Sequence, residues 1–282
     1  FMIIPQLIFS GVIVSFDRLN PAVSSRTVVP VIGEIMASRW AYEAVIVSQF
    51  KDNPLEKQLY PTDKKISQIG YMKSYWITEL DAQLHFIRYN LQKPEQKEKI
   101  NRFSKTIQNE LSKKHAGINF PQFVFKSDLN ADNLDEKRLT KIQFYLDEFN
   151  KHLNKEFIKA SKEKDKIIYS IEKQSDIDNY FNIQKDRYFN ESISDLVKLN
   201  NKFNKVITVD GQLVPIIDPV FRDAQGFRSH FYAANKNLNG IIIDTFWYNV
   251  GIIWLMSIIM MITLYYDIFQ KLINAFDKPD NR

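Results

Sequence analysis

The segment from Thr245 to Tyr266 contains no charged side chain, and its length constrains what the whole chain can fold into. An α-helix needs about 20 consecutive apolar residues to cross a bilayer. Trp247 and Tyr248 stand near one end and Tyr265 near the other, where aromatic rings favour the headgroup layers. We therefore expect a transmembrane helix. The alternative is a buried helix of a soluble domain, but such helices are usually shorter and carry a polar stripe.

The chain also begins with an apolar segment. Residues 1–16 are apolar apart from Gln6 and two serines, although they are slightly short for a complete membrane span. A basic region and a small-residue cleavage site, which mark a secretory signal peptide, are missing. Because the segment starts with Phe, we expect a fragment that begins inside a membrane helix. Membrane helices tolerate Pro5 and Gly11 where neighbouring helices satisfy the freed backbone groups.

The region between the two apolar ends is polar and holds most of the 38 Lys and Arg residues and the 33 Asp and Glu residues. The net charge is +5, but Lys and Glu alternate without a concentrated arginine patch. This pattern is typical of a solvated helical surface, so nucleic acid is not an expected partner. Because the chain has no cysteine, disulfides and thiolate metal sites are excluded.

Apolar residues in the middle of the chain recur at steps of three and four, the spacing of a helix face. The first predicted helix spans 64–91. The second begins at Pro94 and stops at Gly117, and the third begins near Leu134. A fourth helix, capped by Asp176, is predicted to follow. Together these helices predict a soluble bundle over residues 55–205.

Two short apolar runs follow the helices, at 206–209 and 212–217, and Asp210-Gly211 joins them. This arrangement predicts a β-hairpin, with Pro215 limiting its second strand to a sheet edge. Residues 219–240 look like an irregular connection. The expected domains are 1–54 (membrane helix end and re-entrant segment), 55–205 (helical domain), 206–240 (hairpin and connector), 241–272 (final membrane helix) and 273–282 (cytoplasmic tail).

The chain lacks recognisable catalytic motifs, and its histidines are scattered without metal-ligand spacing. Asp128 to Asp132 opens like a calcium loop, but Asn133 replaces the turn glycine and Leu139 replaces the closing glutamate. Phosphate-binding and nucleophile-elbow motifs are also missing. We expect no catalytic residue and no metal site, and the chain by itself is not expected to be an enzyme.

A more specific signal is the ordered set Phe9-Ser-Gly-Val-Ile-Val-Ser-Phe16, Ser38-Arg-Trp-Ala-Tyr-Glu-Ala44 and Gln49-Phe50. It resembles the fifth membrane helix and re-entrant segment of the G-type (white-like, ABC-2) ATP-binding cassette exporters. The final apolar helix resembles the sixth helix of the same half-transporter. The helical insertion from roughly Leu55 to Val220 departs from this family, whose external loop is much shorter. The residues of the re-entrant motif are Arg39, Trp40, Tyr42 and Glu43.

In the family that the chain resembles, two halves face each other and their fifth helices line the substrate path. The resemblance implies that Val12 and Ile13 close this path as an outer valve and that Ile4, Leu7 and Ile8 line it below. No charge enters this stretch, so an apolar or amphipathic substrate is expected.

The resemblance also implies partners and a location. No cofactor is expected in this fragment, whereas ATP and Mg²⁺ would bind in a missing nucleotide-binding domain. The expected partners are membrane lipid, a second transporter half in a homo- or heterodimer, and another envelope protein. The expected location is a bacterial inner membrane with a multi-pass chain, with residues about 17–240 extracytoplasmic. Pro5, Gly11 and Asn249 would serve membrane-helix packing.

The expected fold is therefore mainly α: a partial transmembrane helical domain with two membrane helices and a re-entrant helix, an inserted soluble α-helical bundle and a short β-hairpin. Residues 28–50 carry charges that a re-entrant segment tolerates in a protein-lined site, and a soluble amphipathic helix is the alternative. Arg39 and Glu43, at i and i+4, are predicted to form an ion pair. A membrane-anchored extracytoplasmic binding or scaffold protein without transport activity is the alternative function.

Overall fold

The computed structural model describes residues 29–115, 117–125, 127–199, 204–224, 226, 228–268 and 271, together with residues 4, 6, 10 and 11. Over these residues the protein is mainly helical and has two small antiparallel hairpins. The chain divides into two compact units. The helical unit is Phe50–Arg222, and the terminal unit combines Phe1–Gln49 with Asp223–Arg282.

The terminal unit contains a short helix, α1 (Val31–Glu34), and a longer helix, α2 (Ala37–Lys51). Earlier in the chain, Gly11 has a φ of +79° and lies in a turn. A regular α-helix requires a φ near −63°, so the expected membrane helix over residues 1–16 does not pass through Gly11 as a regular helix. Apart from residues 4, 6, 10 and 11, that segment lies outside the described residues.

The helical unit opens with a long helical run in which α3 (Glu56–Tyr71), a π-helical stretch (Met72–Trp76) and α4 (Ile77–Asn90) follow without a break. The run therefore begins earlier than the predicted residue 64. A 3-10 turn at Pro94–Gln96 then leads into α5 (Lys97–Leu111). Pro94 starts this turn as predicted, since its fixed φ suits the first position of a helix. Helix α5 ends at Leu111, so Gly117 does not stop it.

Helix α6 (Glu136–Glu172) begins where the sequence predicts, because the Asp135 carboxylate accepts a hydrogen bond from the Arg138 backbone N–H at 2.7 Å. The predicted fourth helix is in fact two, α7 (Tyr180–Tyr188) and α8 (Glu191–Lys198). Asn190 divides them, since its backbone is extended and its side chain accepts from the Ile193 N–H as the cap of α8. The predicted Asp176 cap is wrong, because α7 begins after Asn179.

The core of the helical unit is formed mainly by the predicted apolar stripes of α4, α5 and α6, and Ile69 of α3 and Met72 and Trp76 of the π-helical stretch also belong to it. Its most buried members, each no more than 1% exposed, are Ile69, Leu80, Leu84, Ile87, Ile100, Ile107, Leu111, Leu139, Ile142, Leu146, Phe149 and Leu153. These positions recur at three- and four-residue steps, so each helix presents one apolar face to the others.

The predicted hairpin is present as β1 (Val206–Val209) and β2 (Gln212–Pro215), paired in the register Val209 to Gln212. It packs on the helical unit through Leu213, whose side chain is buried. The buried Glu110 carboxylate accepts hydrogen bonds from the Leu213 N–H at 2.7 Å and the Trp76 indole N–H at 2.9 Å. The expected segment 206–240 is therefore divided between the two units at Arg222.

A second hairpin, which the sequence reading missed, connects to the final helix. It pairs β3 (Asn235–Leu238) with β4 (Ile241–Asp244), so residues 219–240 are not entirely irregular and residues 241–244 are not helical. Helix α9 (Thr245–Tyr265) follows directly. It begins at this point because the Asp244 side chain accepts from the Phe246 N–H at 2.9 Å, a regular N-cap.

Candidate functional site

Four charged side chains of the terminal unit converge in one place. They are Glu34 of α1, Arg39 and Glu43 of α2, and Lys236 of β3, and we call them the charged cluster. Arg39, Glu43 and Lys236 are each no more than 2% exposed, whereas the Glu34 side chain is 21% exposed. Charged groups are rarely buried unless they are paired, so their mutual contacts decide whether this arrangement is stable.

Glu43 lies at the centre of the charged cluster. One carboxylate oxygen accepts hydrogen bonds from the Lys236 ammonium at 2.8 Å and from the backbone N–H of Tyr232 at 3.0 Å. The other oxygen accepts from the Asn249 side-chain amide at 2.9 Å. Charge-assisted bonds of this kind are roughly twice as strong as neutral ones. Glu43 therefore connects α2, β3 and α9 through a single side chain.

Arg39 forms the ion pair with Glu43 that the i, i+4 spacing predicts, at 3.6 Å. Glu34 approaches the same guanidinium at 3.4 Å. The guanidinium also lies 3.9 Å from the centre of the Trp40 ring and 5.7 Å from that of Phe231. A desolvated arginine over an aromatic face is attracted by the quadrupole of the ring. Besides Glu43, Arg39 is therefore stabilised by Glu34 and by the rings of Trp40 and Phe231.

The charge of Glu43 is maintained by its neighbours. Burial by itself raises the pKa of Glu43, but the charges of Arg39 and Lys236 outweigh this and hold the pKa below its ordinary value of 4.5. Burial lowers the pKa of Lys236, although Glu43 opposes the change. Burial raises the pKa of Glu34. Two cations thus face two carboxylates, and Glu43 is ionised at neutral pH.

Local structure fixes the position of each member. The Trp40 indole N–H donates to the Glu34 carbonyl at 2.8 Å, which holds α1 against the start of α2. The second hairpin directs Lys236 inward, where its ammonium also donates to the Ser229 hydroxyl at 2.7 Å. The Thr245 hydroxyl donates to the Ala233 carbonyl at 2.6 Å and fixes the first turn of α9.

Asn249 joins the charged cluster from α9. It is fully buried, although most of α9 is exposed, and its amide donates to the Trp40 carbonyl at 3.1 Å as well as to Glu43. One turn of α9 is thereby bonded to both ends of the Trp40 to Glu43 segment. Trp40 also contacts the Tyr248 ring, with centroids 6.0 Å apart. Asn249 therefore ties the first turns of α9 to α2.

The other predicted site residues are placed as follows. Tyr42 packs on Phe231 and Tyr232, with ring centroids 6.4 Å apart in both pairs. Ile4 is exposed and Gly11 is buried. The remaining residues of the predicted path and packing lie outside the described residues, namely Pro5, Leu7, Ile8, Val12 and Ile13.

Sequence reasoning missed Lys236, Tyr232 and Ser229. The segment Asn235-Lys-Asn-Leu238 has no apolar alternation, so a strand was not expected and Lys236 looked like one of many surface lysines. The available signal was Asn239-Gly240, a dipeptide that favours a two-residue hairpin turn. A hairpin at this point would have placed every second residue, including Lys236, on the same face as the core.

The chemistry available to the charged cluster is ion pairing and hydrogen bonding between elements. Groups of three or more His, Asp or Glu side chains able to hold a metal ion do not occur within the described ranges. Among those same residues, α9 is the helix long and apolar enough to cross a membrane, with a mean hydropathy of 1.8 and 6% of its apolar window buried. Comparison of the chain with protein-family models, curated proteins and solved structures found no match.

Proposed function

We propose that this chain supplies the last part of the permease domain of an ATP-driven exporter of the G-type, ABC-2 class, and carries an extracytoplasmic helical domain. The proposal begins from the resemblance of its Arg-Trp-x-Tyr-Glu-Ala segment and its final apolar helix to the re-entrant segment and sixth helix of that family. ATP and Mg²⁺ would bind to a nucleotide-binding domain encoded elsewhere in the parent protein or its operon. A second half would complete the transporter.

The observation that carries the proposal is the contact between Asn249 and Glu43. A helix that only anchors a soluble domain has no need of a fully buried asparagine one turn inside its apolar stretch. Here that asparagine is bonded to a buried carboxylate of α2 at 2.9 Å. Such a contact supports a polytopic membrane domain in which α2 is a re-entrant segment packed on the entry of α9.

In this proposal the substrate path is lined by the apolar segment near the start of the chain. Val12 and Ile13 close it as a valve, and Ile4, Leu7 and Ile8 line it below. An uncharged lining suits an apolar or amphipathic substrate, because a charged group would lose hydration there without gaining a partner. The exporter lies in the inner membrane of a bacterium, with the helical unit outside the cytoplasm.

The proposal is tested on the purified intact parent protein reconstituted in lipid. Replacing Val12 and Ile13 together by Ala widens the valve and should change basal ATPase activity. Ile258→Ala with Ile259→Ala on α9 is a matched control, since both side chains are about half exposed and lie far along α9 from the charged cluster. An unchanged ATPase rate in the valve variant would contradict the proposal. So would a parent operon without a GxxxxGK[ST] phosphate loop.

The helical unit is proposed to cover the exit of the path or to pass substrate to another envelope protein. Its chain ends lie close together, since the rings of Phe50 and Phe221 have centroids 5.9 Å apart. Residues 50–222 can therefore be replaced by a short Gly/Ser linker without stretching the terminal unit. Loss of export with normal membrane insertion is expected. Undiminished export would exclude this role.

A second candidate is a membrane-anchored binding or scaffold protein, and one feature of the helical unit favours it. A groove of about 590 Å³ has a mainly apolar lining that includes Phe120, Phe123, Phe144 and Tyr145. Apolar grooves with few polar groups are common binding sites. In this case the valve variant would leave function unaffected, whereas Phe144→Ser would abolish binding of the domain to its partner.

A further inference from the structure

The second hairpin ends in a tight turn at Asn239 and Gly240. Both residues have positive φ, +50° and +93°, as a two-residue hairpin turn of the primed type requires. The Asn237 side chain accepts a hydrogen bond from the Gly240 N–H at 2.8 Å and closes the turn. The tip is thus a regular two-residue turn, closed by a side-chain hydrogen bond.

Each face of the tip carries one exposed isoleucine. Ile241 pairs with Leu238 and Ile242 pairs with Asn237, and adjacent residues of a strand point to opposite sides of the ribbon. Ile241 is 65% exposed and Ile242 is 68% exposed. The two exposed isoleucines therefore point to opposite sides of the ribbon, which suits a medium that surrounds the tip better than a single flat partner surface.

The tip also carries no charge. Between Lys236 and Asp244 the sequence is Asn-Leu-Asn-Gly-Ile-Ile-Ile. Lys236 points inward to Glu43, and the Asp244 side chain caps α9. The charged residues that border the hairpin are therefore engaged inside the terminal unit, and the projecting part would insert no charged group into an apolar environment.

The tip lies close to the start of the apolar helix. Strand β4 continues into α9 without an intervening residue, so Ile241 lies within roughly 13 Å of Thr245 along the strand. Trp247, two residues into the helix, is 70% exposed, and exposed tryptophans favour the headgroup layer. Wherever α9 enters a bilayer, the hairpin tip is near the same surface.

We propose that the tip of the β3–β4 hairpin inserts into the boundary between headgroups and acyl chains, on the side of the membrane where α9 begins. Ile241 and Ile242 are the inserted side chains, and the polar Asn239-Gly240 turn limits insertion to the interfacial layer. This inference rests on α9 spanning the membrane, as the proposed function requires, but it does not depend on export. Insertion of the tip gives the terminal unit a second lipid contact besides α9. The two contacts together set how far the charged cluster lies from the membrane surface.

The absence of cysteine makes the test direct, because a single introduced cysteine is the only site of labelling. Ile241→Cys and Ile242→Cys variants of the full chain are labelled with the fluorophore NBD and reconstituted into phosphatidylcholine–phosphatidylglycerol vesicles. Doxyl groups at shallow or deep positions of the lipid act as quenchers. Both labels should emit at short wavelength and be quenched more strongly by the shallow doxyl lipid than by the deep one.

Two control positions separate the possible failures. Ser257→Cys near the middle of α9 should be quenched by the deep doxyl lipid, and Val124→Cys in the helical unit, which is 83% exposed, should be accessible to aqueous iodide. If position 257 is not quenched by lipid, the membrane-spanning proposal fails. If position 257 is quenched but positions 241 and 242 behave like position 124, the insertion alone is overturned. Short-wavelength emission without lipid quenching would indicate a protein partner and would also overturn it.

Discussion

Replacing Glu43 by Ala should destabilise the terminal unit far more than replacing Glu34 by Ala. Removing one partner of a buried ion pair costs about 3–5 kcal/mol, because the other charge is left without compensation. A partly exposed pair contributes about 0–1 kcal/mol. The two substitutions remove the same chemical group from the same charged cluster, so the expected difference in the free energy of unfolding is about 2 kcal/mol or more.

The contacts of each carboxylate explain this difference. Without Glu43, the Lys236 ammonium, 2% exposed, keeps only the Ser229 hydroxyl among the contacts described above. The Tyr232 N–H and the Asn249 amide lose an acceptor as well. Without Glu34, Arg39 still has Glu43 and its aromatic neighbours, and the Glu34 side chain was already 21% exposed. In the proposed exporter, the same loss should lower membrane assembly and transport more in the Glu43 variant than in the Glu34 variant.

Intrinsic fluorescence can follow this unfolding in detergent micelles. Of the 4 tryptophans, Trp40, Trp247 and Trp254 lie in the terminal unit and Trp76 lies in the helical unit. A Trp76→Phe background therefore restricts the signal to the terminal unit. The free energy of unfolding of each variant is then compared with that of the background.

Two further variants isolate the charge. Glu43→Gln keeps the shape of the side chain but loses its charge, and it should recover little of the stability. Adding Lys236→Met to Glu43→Gln removes the unpaired cation, and the double variant should be more stable than Glu43→Gln alone. Equal losses in the Glu43→Ala and Glu34→Ala variants, or no gain from Lys236→Met, would refute the reasoning.

Three further predictions concern the helical unit expressed alone. Residues 50–222 should give a helical circular dichroism spectrum and a cooperative melt. Residues 60–205 should melt at a lower temperature, because this shorter fragment lacks the buried side chains of Leu55, Leu59, Leu213, Val220 and Phe221, and equal melting temperatures would contradict this. Burial lowers the pKa of His115 below its ordinary 6.5, so the unfolded chain takes up the proton first and the stability of 50–222 should fall as the pH decreases from 7 to 5. The His115→Phe variant should show a smaller decrease when the free energy of unfolding is measured with urea at each pH. The same pH dependence in the variant and in the unsubstituted unit would contradict this role of His115. Leu146→Ala, at a side chain 1% exposed, should cost about 2–5 kcal/mol in the same assay. Phe144→Ala on the same helix, at a side chain 66% exposed, should lower the free energy of unfolding by less than about 0.5 kcal/mol. Similar losses of stability in the two variants would contradict the placement of Leu146 in the core and Phe144 on the surface.

Helix boundaries show which local signals can be trusted. Asp135 and Pro94 mark helix starts through interactions within one turn, and the sequence predicts both starts closely. Asp176 carries the same kind of signal but caps nothing, because the chain takes a left-handed conformation at Asn179 and begins α7 after it. Asn190 divides the predicted fourth helix, because its side chain caps the next helix, α8. A capping residue permits a helix start, but the packing of the following residues decides which of several candidates is used.

The charged cluster could be predicted only in part. Arg39 and Glu43 are four residues apart on one helix, so their pairing follows from helix geometry alone. The contacts of Glu43 with Lys236 and with Asn249 join residues 193 and 206 positions apart. The Asn239-Gly240 dipeptide indicates a turn beside Lys236, but the local sequence does not show that this lysine, among 38 Lys and Arg residues, faces a buried carboxylate. Its role depends on the inward direction that the β3–β4 hairpin imposes.

The sequence by itself determined the apolar helix Thr245–Tyr265, the amphipathic stripes of the helical unit, the Asp-Gly hairpin and the Arg39–Glu43 pair. Each of these depends on a repeat or spacing of a few residues, over which backbone geometry alone decides which side chains are neighbours. The tertiary structure decided that Asn249 and Lys236 meet Glu43, that Leu213 completes the helical core, and that Ile241 and Ile242 project on opposite faces beside the apolar helix. These arrangements bring together residues far apart in the chain, and the burial of a charge or an apolar group is decided by the folded surroundings rather than by its sequence neighbours.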